Sequence, residues 1–580
     1  MNKNIDPVPV ALSTKAARLL APLLVWLALP WSAAVLAQVA PDAGRTLQTV
    51  PQQAAPVRPD IKLEVGPETR PAMPETPGIA VRLKAFRLSG NRAIAEPELA
   101  ALLADLVGRE LSFADLTRAA QRLTDHYRGR GYLVAQAYLP TQDIRDGVVE
   151  IAILEGMLGE VKLTVRPGVR VSEPALRGML AAVVPGTVIH ESNVERTLLL
   201  MHDLPGVATS STLVPGAQIG AADLQVDVEE HEHLMTGSVD LDNWGNRFTG
   251  EFRASGSLAI ASPFGIGDQI LGRAMLSNGS KLRLGEVNYA LPLGYSGIRA
   301  GVGYRRLEYS LGKSFANLQS HGDARVFSGF VQYPFLRTRQ MNLSGNLGFD
   351  LKRLSDKIDS VGAVTDKNAR SLRFSLTGDS RDQWKGGGAN SFSLALTRGD
   401  LEIETPAARA FDQGVGGRFT EGAFGKLNYD VSRQQVLYDS LGLFVSLSGQ
   451  LASKNLDSSE KFSLGGPTGV RAYPVGEAAG DQGYLITGEL RYALQTRLLA
   501  SLDASVFAFY DAGGVRANRN PLQTDTTNVR NLAAVGVGAL IAKAGSFFVR
   551  TSLAWRVERE QPLSDIDRGP RLWLQISVPF

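Results

Sequence analysis

Chemistry at a protein site needs nucleophiles, proton carriers or metal ligands at workable spacings, and this 580-residue chain offers few of them. Cysteine is absent, which removes disulfide frameworks, thiolate metal sites and thiol nucleophiles at once. Histidine occurs six times. The one close pair, in His231-Glu232-His233, has i, i+2 spacing and no third ligand in view, so it is read as solvated and no metal centre is assigned. No Gly-x-Ser-x-Gly elbow occurs, and Gly312-Lys313-Ser314 lacks the upstream glycine and strand of a phosphate loop. Gly536-Val537-Gly538 lies in an alternating stretch, where glycine admits a close neighbouring strand rather than a dinucleotide. Asp240 and Asp242 alternate along a strand in the same way. The expectation is therefore no enzyme activity, no cofactor and no metal. Lys plus Arg (61) nearly balances Asp plus Glu (58), for a net charge of +3, which argues against a nucleic-acid binder with its concentrated basic surface. What remains is ion pairing, and the elements that would position it decide what it does.

The first 37 residues read as an address. Lys3, Lys15 and Arg18 precede an apolar run at 19–36 broken by Pro22 and Pro30, and Val35 and Ala37 suit a cleavage site before Gln38. A signal peptide at 1–37 places the mature chain outside the cytoplasm. No later stretch reaches the ~18–20 apolar residues of a membrane helix, so any membrane entry must use a barrel. Residues 38–79 hold eight prolines and read as an extended leader with one short helix candidate at 42–53.

Residues 80–157 carry a β-α-α-β-β order: an alternating strand from Val81, a helix opened by Pro97, a second capped by Ser112, then two strands around the turn Asp146-Gly147. The order repeats over 158–233, with Ser192 and Glu195 reading as the capping box of its second helix. From 234 to 580 the helical period vanishes and strands of period two follow one another. In the last of these, Leu572, Leu574, Ile576, Val578 and Phe580 share one face, with Arg571, Gln575 and Ser577 on the other. Elsewhere Ile486, Gly488, Leu490 and Tyr492 oppose Thr487, Glu489 and Arg491. A soluble sandwich or propeller alternates similarly. The export signal, an aromatic residue closing the last strand, and all four mature tryptophans (Trp244, Trp384, Trp555, Trp573) in this region, as interface girdles require, favour an antiparallel transmembrane barrel of about sixteen strands.

Against this frame the motifs resemble those of the TpsB-type two-partner secretion transporters, the ShlB/FhaC/HecB haemolysin secretion/activation family, over nearly all of the mature chain. Tyr127-Arg-Gly-Arg-Gly131-Tyr132, Leu139-Pro140-Thr-Gln142-Asp143-Ile144 and Leu154-Glu155-Gly156 resemble that family's first POTRA domain. Leu204-Pro205-Gly206 and Pro215-Gly216 resemble the second, and Asp242-Asn243-Trp244-Gly245 and Tyr289-Ala-Leu-Pro292-Leu-Gly294 the early barrel strands. The most specific motif is Val470-Arg471-Ala472-Tyr473, where the family carries Val-Arg-Gly-Tyr at the tip of an extracellular loop folded into the barrel. The resemblance implies that Arg471 reaches the wall motif Phe509-Tyr510-Asp511-Ala512-Gly513, with Glu489 as a secondary acidic partner. The strand's phase agrees: Ala504, Val506, Ala508 and Tyr510 form the apolar set, so Asp511 faces the lumen. Alanine at 472 departs from the family's glycine and costs on the order of 1 kcal/mol if that position needs a positive φ.

The resemblance further implies an outer-membrane protein of a Gram-negative bacterium, with its POTRA domains in the periplasm and the helix at 42–53 as a pore plug. Its partners would be an exported TpsA-type exoprotein (adhesin, haemolysin or contact-dependent toxin), outer-membrane lipid, and the barrel assembly machinery, for which Phe580 would be a C-terminal signal. The rival readings are a BamA-superfamily assembly factor, which usually carries three or five POTRA domains rather than two, a passive porin, and an exported all-β enzyme.

Overall fold

The computed structural model describes residues 40–50, 63–65, 80–144, 146–231, 233–494, 501–522, 527–557 and 560–580. The expected signal peptide and most of the proline-rich leader lie outside the described residues. Two leader pieces are described, helix α1 (Ala43–Gln48) and strand β1 (Leu63–Val65).

The first small domain runs β2 (Ala80–Arg82), β3 (Ala85–Ser89), α2 (Glu96–Ala101), β4 (Glu110–Ser112), α3 (Phe113–Gly129), β5 (Gln136–Tyr138) and β6 (Val148–Leu154). Its sheet is ordered β3-β6-β5, with β3 parallel and β5 antiparallel to β6. Helix α3 starts at a reciprocal cap: the Asp115 amide donates to Ser112 Oγ at 3.2 Å and the Ser112 amide to Asp115 Oδ2 at 2.9 Å. Its apolar stripe, Leu116, Ala120, Leu123 and Tyr127, is buried with Val149, Ile151 and Ile153 of β6. The Tyr127 hydroxyl donates to Glu155 at 2.9 Å, and burial together with that carboxylate pushes the phenol well above its ordinary pKa.

The second domain runs β7 (Met157–Val165), α4 (Glu173–Leu180), α5 (Glu191–His202), β8 (Val207–Pro215) and β9 (Ala221–Glu230), in sheet order β8-β9-β7. The expected capping box at Ser192 and Glu195 does not form. Helix α5 begins earlier, at Glu191, with His190 as its cap, and Glu195 is drawn away to Arg339 of the barrel at 2.7 Å. Strand β1 adds to this sheet, lying parallel to β8 with Leu63 opposite Ser211.

Sixteen strands then close into a barrel: β10 (Met235–Asp242), β11 (Arg253–Ala261), β12 (Gln269–Ser277), β13 (Leu282–Pro292), β14 (Arg299–Ser310), β15 (Ser320–Arg337), β16 (Met341–Ile358), β17 (Ala363–Asp382), β18 (Gly388–Ile403), β19 (Gly422–Tyr438), β20 (Leu441–Ala452), β23 (Gln482–Ala493), β24 (Asp503–Arg516), β25 (Val529–Lys543), β26 (Phe547–Arg556) and β27 (Arg571–Pro579). Helix α6 (Pro406–Gln413) sits in the connection after β18, and the short pair β21 (Phe462–Ser463) and β22 (Ala479–Gly480) in the long one after β20. All neighbouring barrel strands are antiparallel, and β10 pairs with β27 to close the ring, Ser238 opposite Pro579 and Asp242 opposite Gln575. The Phe580 amide donates to Gly237 O at 3.0 Å, and its exposed ring lies across Gly237, where a Cβ would stand 2.5 Å from the ring.

Closure follows from the alternating pattern, because a sheet with one apolar face outward leaves no unpaired edge only when it meets itself. Among the described residues no helix is long and apolar enough to cross a membrane. The expectation that the tryptophans form interface girdles is corrected. Trp555 on β26 and Trp384 in the turn after β17 are exposed, but Trp573 takes the polar phase of β27 and is 4% exposed inside the barrel. Trp244 lies in the connection after β10.

The second domain is bolted to the end of β15 and to the turn that follows it. Arg337 forks onto Asp203 at 2.8 and 2.9 Å, Arg339 holds Glu191 and Glu195, and Arg196 donates to Pro334 O at 2.9 Å.

Candidate functional site

The connection between β20 and β23, residues 453–481, folds back into the barrel and is pinned at two places. At its tip, Gly469 and Gly513 permit the approach. A side chain at Gly469 would meet Leu464 O at 1.9 Å, and one on the wall at Gly513 would meet Leu464 Cδ2 at 2.7 Å. With both absent, the Val470 amide donates to Leu464 O at 2.7 Å and the turn presents Arg471 to the wall.

Arg471 is 3% exposed and its donors are distributed over two acids. Nε and Nη2 each reach Asp511 at 2.8 Å in a bidentate fork, and Nη1 reaches Glu489 at 2.7 Å. Its amide also donates to Asp511 Oδ2 at 3.2 Å. The guanidinium lies 3.4 Å from the centre of the Phe509 ring, a cation–π contact that closes the lumen side of the pair. The acids are held in turn: Thr487 donates to Asp511 at 3.0 Å, while Arg491 (2.6 Å) and Arg550 (3.2 Å) share Glu489. Trp573 Nε1 donates to Arg471 O at 2.7 Å, and the Tyr473 hydroxyl donates to Glu560 O at 2.9 Å. Val470, Ala472 and Tyr473 are buried with Phe507, Phe509 and Leu464. Ala472 is not among the residues with positive φ, so alanine carries no backbone strain there.

Across the lumen the same connection is pinned by acids of its own. Asp457 meets Lys367 of β17 at 2.6 Å, and Glu460 meets Lys352 of β16 and Lys426 of β19, the latter at 2.8 Å. Asp481 accepts from Lys461 at 2.6 Å, and Glu477 accepts from Arg530 and from the Ser564 amide at 2.8 Å. A strap fastened to β16, β17 and β19 on one side and to β23 and β24 on the other spans the pore.

Helix α1 fills the remaining side. Asp42 caps it by accepting from the Arg45 amide at 2.8 Å, and the Ala43 amide donates to Asp356 of β16 at 2.7 Å. Ala43, Leu47 and Val50 are buried on a dry patch of inner wall formed by Met275, Leu282, Leu284, Leu307 and Tyr309. Gly44 lies so close to the strap that a side chain there would meet Ser459 N at 2.6 Å.

The structure thus brings together Arg471, Asp511, Glu489, Phe509 and Gly513 of the motifs read in the sequence. It leaves Phe580 apart, on the outer wall at the seam. Reading by family motif missed Trp573, Thr487, Arg491 and Arg550. Each stands on the lumen phase of its strand, and a tryptophan in the polar phase of β27 is the signal that was available. The His233 amide turns toward His231 Nδ1 at 3.4 Å, and among the described residues no group of three His, Asp or Glu is placed to hold a metal.

Comparison with known proteins matches residues 220–541 to the profile of the haemolysin secretion/activation protein ShlB/FhaC/HecB, and residues 81–156 to the ShlB-type POTRA domain. The heme/hemopexin transporter protein HuxB of Haemophilus influenzae is 30% identical over 499 residues, covering 84% of this chain and 85% of the relative. The outer membrane transporter CdiB of Dickeya dadantii is 26% identical over 480 residues, covering 80% and 81%. Among solved structures, CdiB from Escherichia coli superposes with a TM-score of 0.68 at 20% identity, covering 88% of this chain and 93% of that one. CdiB from Acinetobacter baumannii gives 0.60 at 16%, covering 97% of each.

Proposed function

This chain belongs to the ShlB/FhaC/HecB family of haemolysin secretion/activation proteins, and on that premise we propose how it exports its partner. It is an outer-membrane transporter of the two-partner secretion type, with its POTRA domains in the periplasm and a TpsA-type exoprotein as client. The alternative of a BamA-type assembly factor has no separate support, since the matching profile and the relatives named above are those of transporters.

At rest the pore is stopped by the strap at 453–481 and by α1 as a plug. The single observation that carries this reading is the fork of Arg471 on Asp511, backed by Glu489, because it fixes the strap tip to the wall from which it must be released. Client capture uses strand addition to the second POTRA sheet. The pairing of β1 with β8 supports this, since that edge already accepts an extended segment. The client then competes with residues 63–65 for the edge, threads the lumen, and folds outside. No nucleotide motif occurs, so folding at the surface supplies the direction. Residues 1–37 serve as the export signal, and Phe580, with its ring across the seam at Gly237, is the contact read during barrel assembly. An adhesin, haemolysin or contact-dependent toxin is the expected client class.

Co-expression with a candidate TpsA-type exoprotein from the same genome tests the proposal. The exoprotein accumulates in the medium only when this chain is present, and Arg471→Ala leaves it in the periplasm while the barrel still shows heat-modifiable migration. Equal secretion with and without this chain would end the transporter reading.

A further inference from the structure

Five consecutive strands share a feature that transport does not use. On their lipid-facing side the apolar band ends, toward the extracellular rim, at Tyr304 on β14, Phe327 on β15, Leu351 on β16, Leu372 on β17 and Leu396 on β18, all exposed. The next outward position on every one of the five is arginine: Arg306, Arg325, Arg353, Arg370 and Arg398, each also exposed. Register places three of them side by side, Arg306 opposite Arg325 and Arg325 opposite Arg353. With strands about 4.8 Å apart, the three backbone positions span roughly 10 Å of one face. Like charges opposed in this way destabilise a sheet unless an anion intervenes.

The protein supplies only part of that anion. Glu308 holds Arg306 at 2.6 Å and Asp323 holds Arg325 at 2.9 Å. Among the described residues Arg353, Arg370 and Arg398 form no ion pair, although Asp400 stands opposite Arg370 in register. Directly above the row lies a cavity of about 360 Å³ whose lining includes Lys281, Arg283, His321 and Lys357, with Glu308 and Asp323 among them. The row does not extend to β10, β12 and β27. Near the extracellular ends of β10, β12 and β27 the outward residues are Leu241, Leu276 and Leu572, also exposed.

We propose that this arc binds the phosphate-bearing headgroups of the outer-leaflet glycolipid. The arginines stand one step beyond the apolar band on the side away from the POTRA domains, which is the level of a lipid phosphate whose acyl chains lie against Tyr304, Phe327 and Leu351. A guanidinium fork matches a phosphate's oxygens, and an ordinary solvated rim has no reason to place arginine at the same step on five strands. The inference rests on the outer-membrane placement and is independent of how the client is moved.

The test uses the full mature protein in detergent, titrated with diphosphorylated lipid A and followed by native mass spectrometry, with the same glycolipid stripped of phosphate as the second probe. Wild type retains the diphosphorylated form. At roughly five-fold per basic residue near an anionic surface, the triple change Arg306→Gln, Arg325→Gln, Arg353→Gln weakens retention roughly 100-fold. Arg353→Gln alone, which breaks no ion pair, weakens it roughly five-fold, and the triple lysine variant retains most of the binding. Excess inorganic phosphate leaves the complex intact. Equal retention of the stripped glycolipid, or unchanged retention by the glutamine variants, would show a solvated collar and overturn the proposal. Displacement by inorganic phosphate would overturn it in favour of a free-anion site. Heat-modifiable migration checks folding, and client secretion by the triple variant, expected to be normal, separates failure here from failure of the transport reading.

Discussion

Replacing Arg471 by alanine removes a guanidinium that makes three side-chain hydrogen bonds to two acids, at 2.7 to 2.8 Å, inside a site where Asp511 is fully buried. Glu489 keeps Arg491 and Arg550, but Asp511 is left with Thr487 alone as a side-chain donor. Breaking a buried pair by removing one partner costs about 3–5 kcal/mol, most of it from the stranded charge. At 1.4 kcal/mol per tenfold, the ratio of displaced to seated strap rises by about two to three and a half powers of ten. The chain has no cysteine, so Ala472→Cys gives a single thiol, buried at 1% exposure beside the clamp. In intact cells an impermeant maleimide labels that thiol slowly when residue 471 is arginine and faster by about those powers of ten when it is alanine. Lysine at 471 keeps the charge without the fork and falls between. Asp511→Asn added to Arg471→Ala restores part of the seating, because the stranded charge is gone. Equal labelling rates in all four backgrounds would refute the clamp, whatever happened to secretion.

Leu47→Asp puts a carboxylate into the dry seat of α1 beside Leu282, Leu284 and Leu307; it unseats the helix and raises single-channel conductance in planar bilayers, and an unchanged conductance would remove the plug role. Arg337→Ala frees Asp203 and loosens the second small domain from the barrel by about 1–3 kcal/mol, discounted because Asp203 is partly exposed; hydrogen exchange in the turn at 338–340 should quicken. His202 is held below its ordinary pKa of 6.5, first by burial, so the folded state binds its proton less readily than the unfolded chain. Stability of the second small domain is therefore full above pH 6.5 and declines as pH falls below it, which exchange at the Thr209 amide measures at pH 5.5 against 7.5; His202→Gln removes the difference.

Much of this was legible in residue periodicity. The helices and main-sheet strands of the two small domains, the switch to period two after residue 233, and the lumen phase of Asp511 and Glu489 all follow from which positions are apolar, whereas the short pair β2 and β4 of the first domain does not. The pairing of Arg471 with Asp511 was readable only through a family motif, because forty residues separate the two and no local pattern links them. What stayed hidden shares that cause. Trp573 suits a membrane interface by its type, yet its place in the polar phase of β27 sends it inward to Arg471 O. Glu195 reads locally as half of a capping box, but an arginine 144 residues away competes for it and wins, because a charge-assisted bond outweighs a helix cap. The seat of α1 was invisible because Leu282, Leu284 and Leu307 are apolar on the lumen side, where the general rule for such barrels puts polar residues.

On the proposed mechanism a client passes through the lumen from which the strap is released. A client stalled in passage by a folded C-terminal domain, in cells carrying a photo-crosslinking residue at lumen-facing Asn428 or at lipid-facing Val431 of β19, tests it directly. Adducts at 428, absent at 431 and absent with Arg471→Ala, are the predicted result. Stalled client that crosslinks equally at both positions, or at neither while secretion of the unstalled form proceeds, would contradict it.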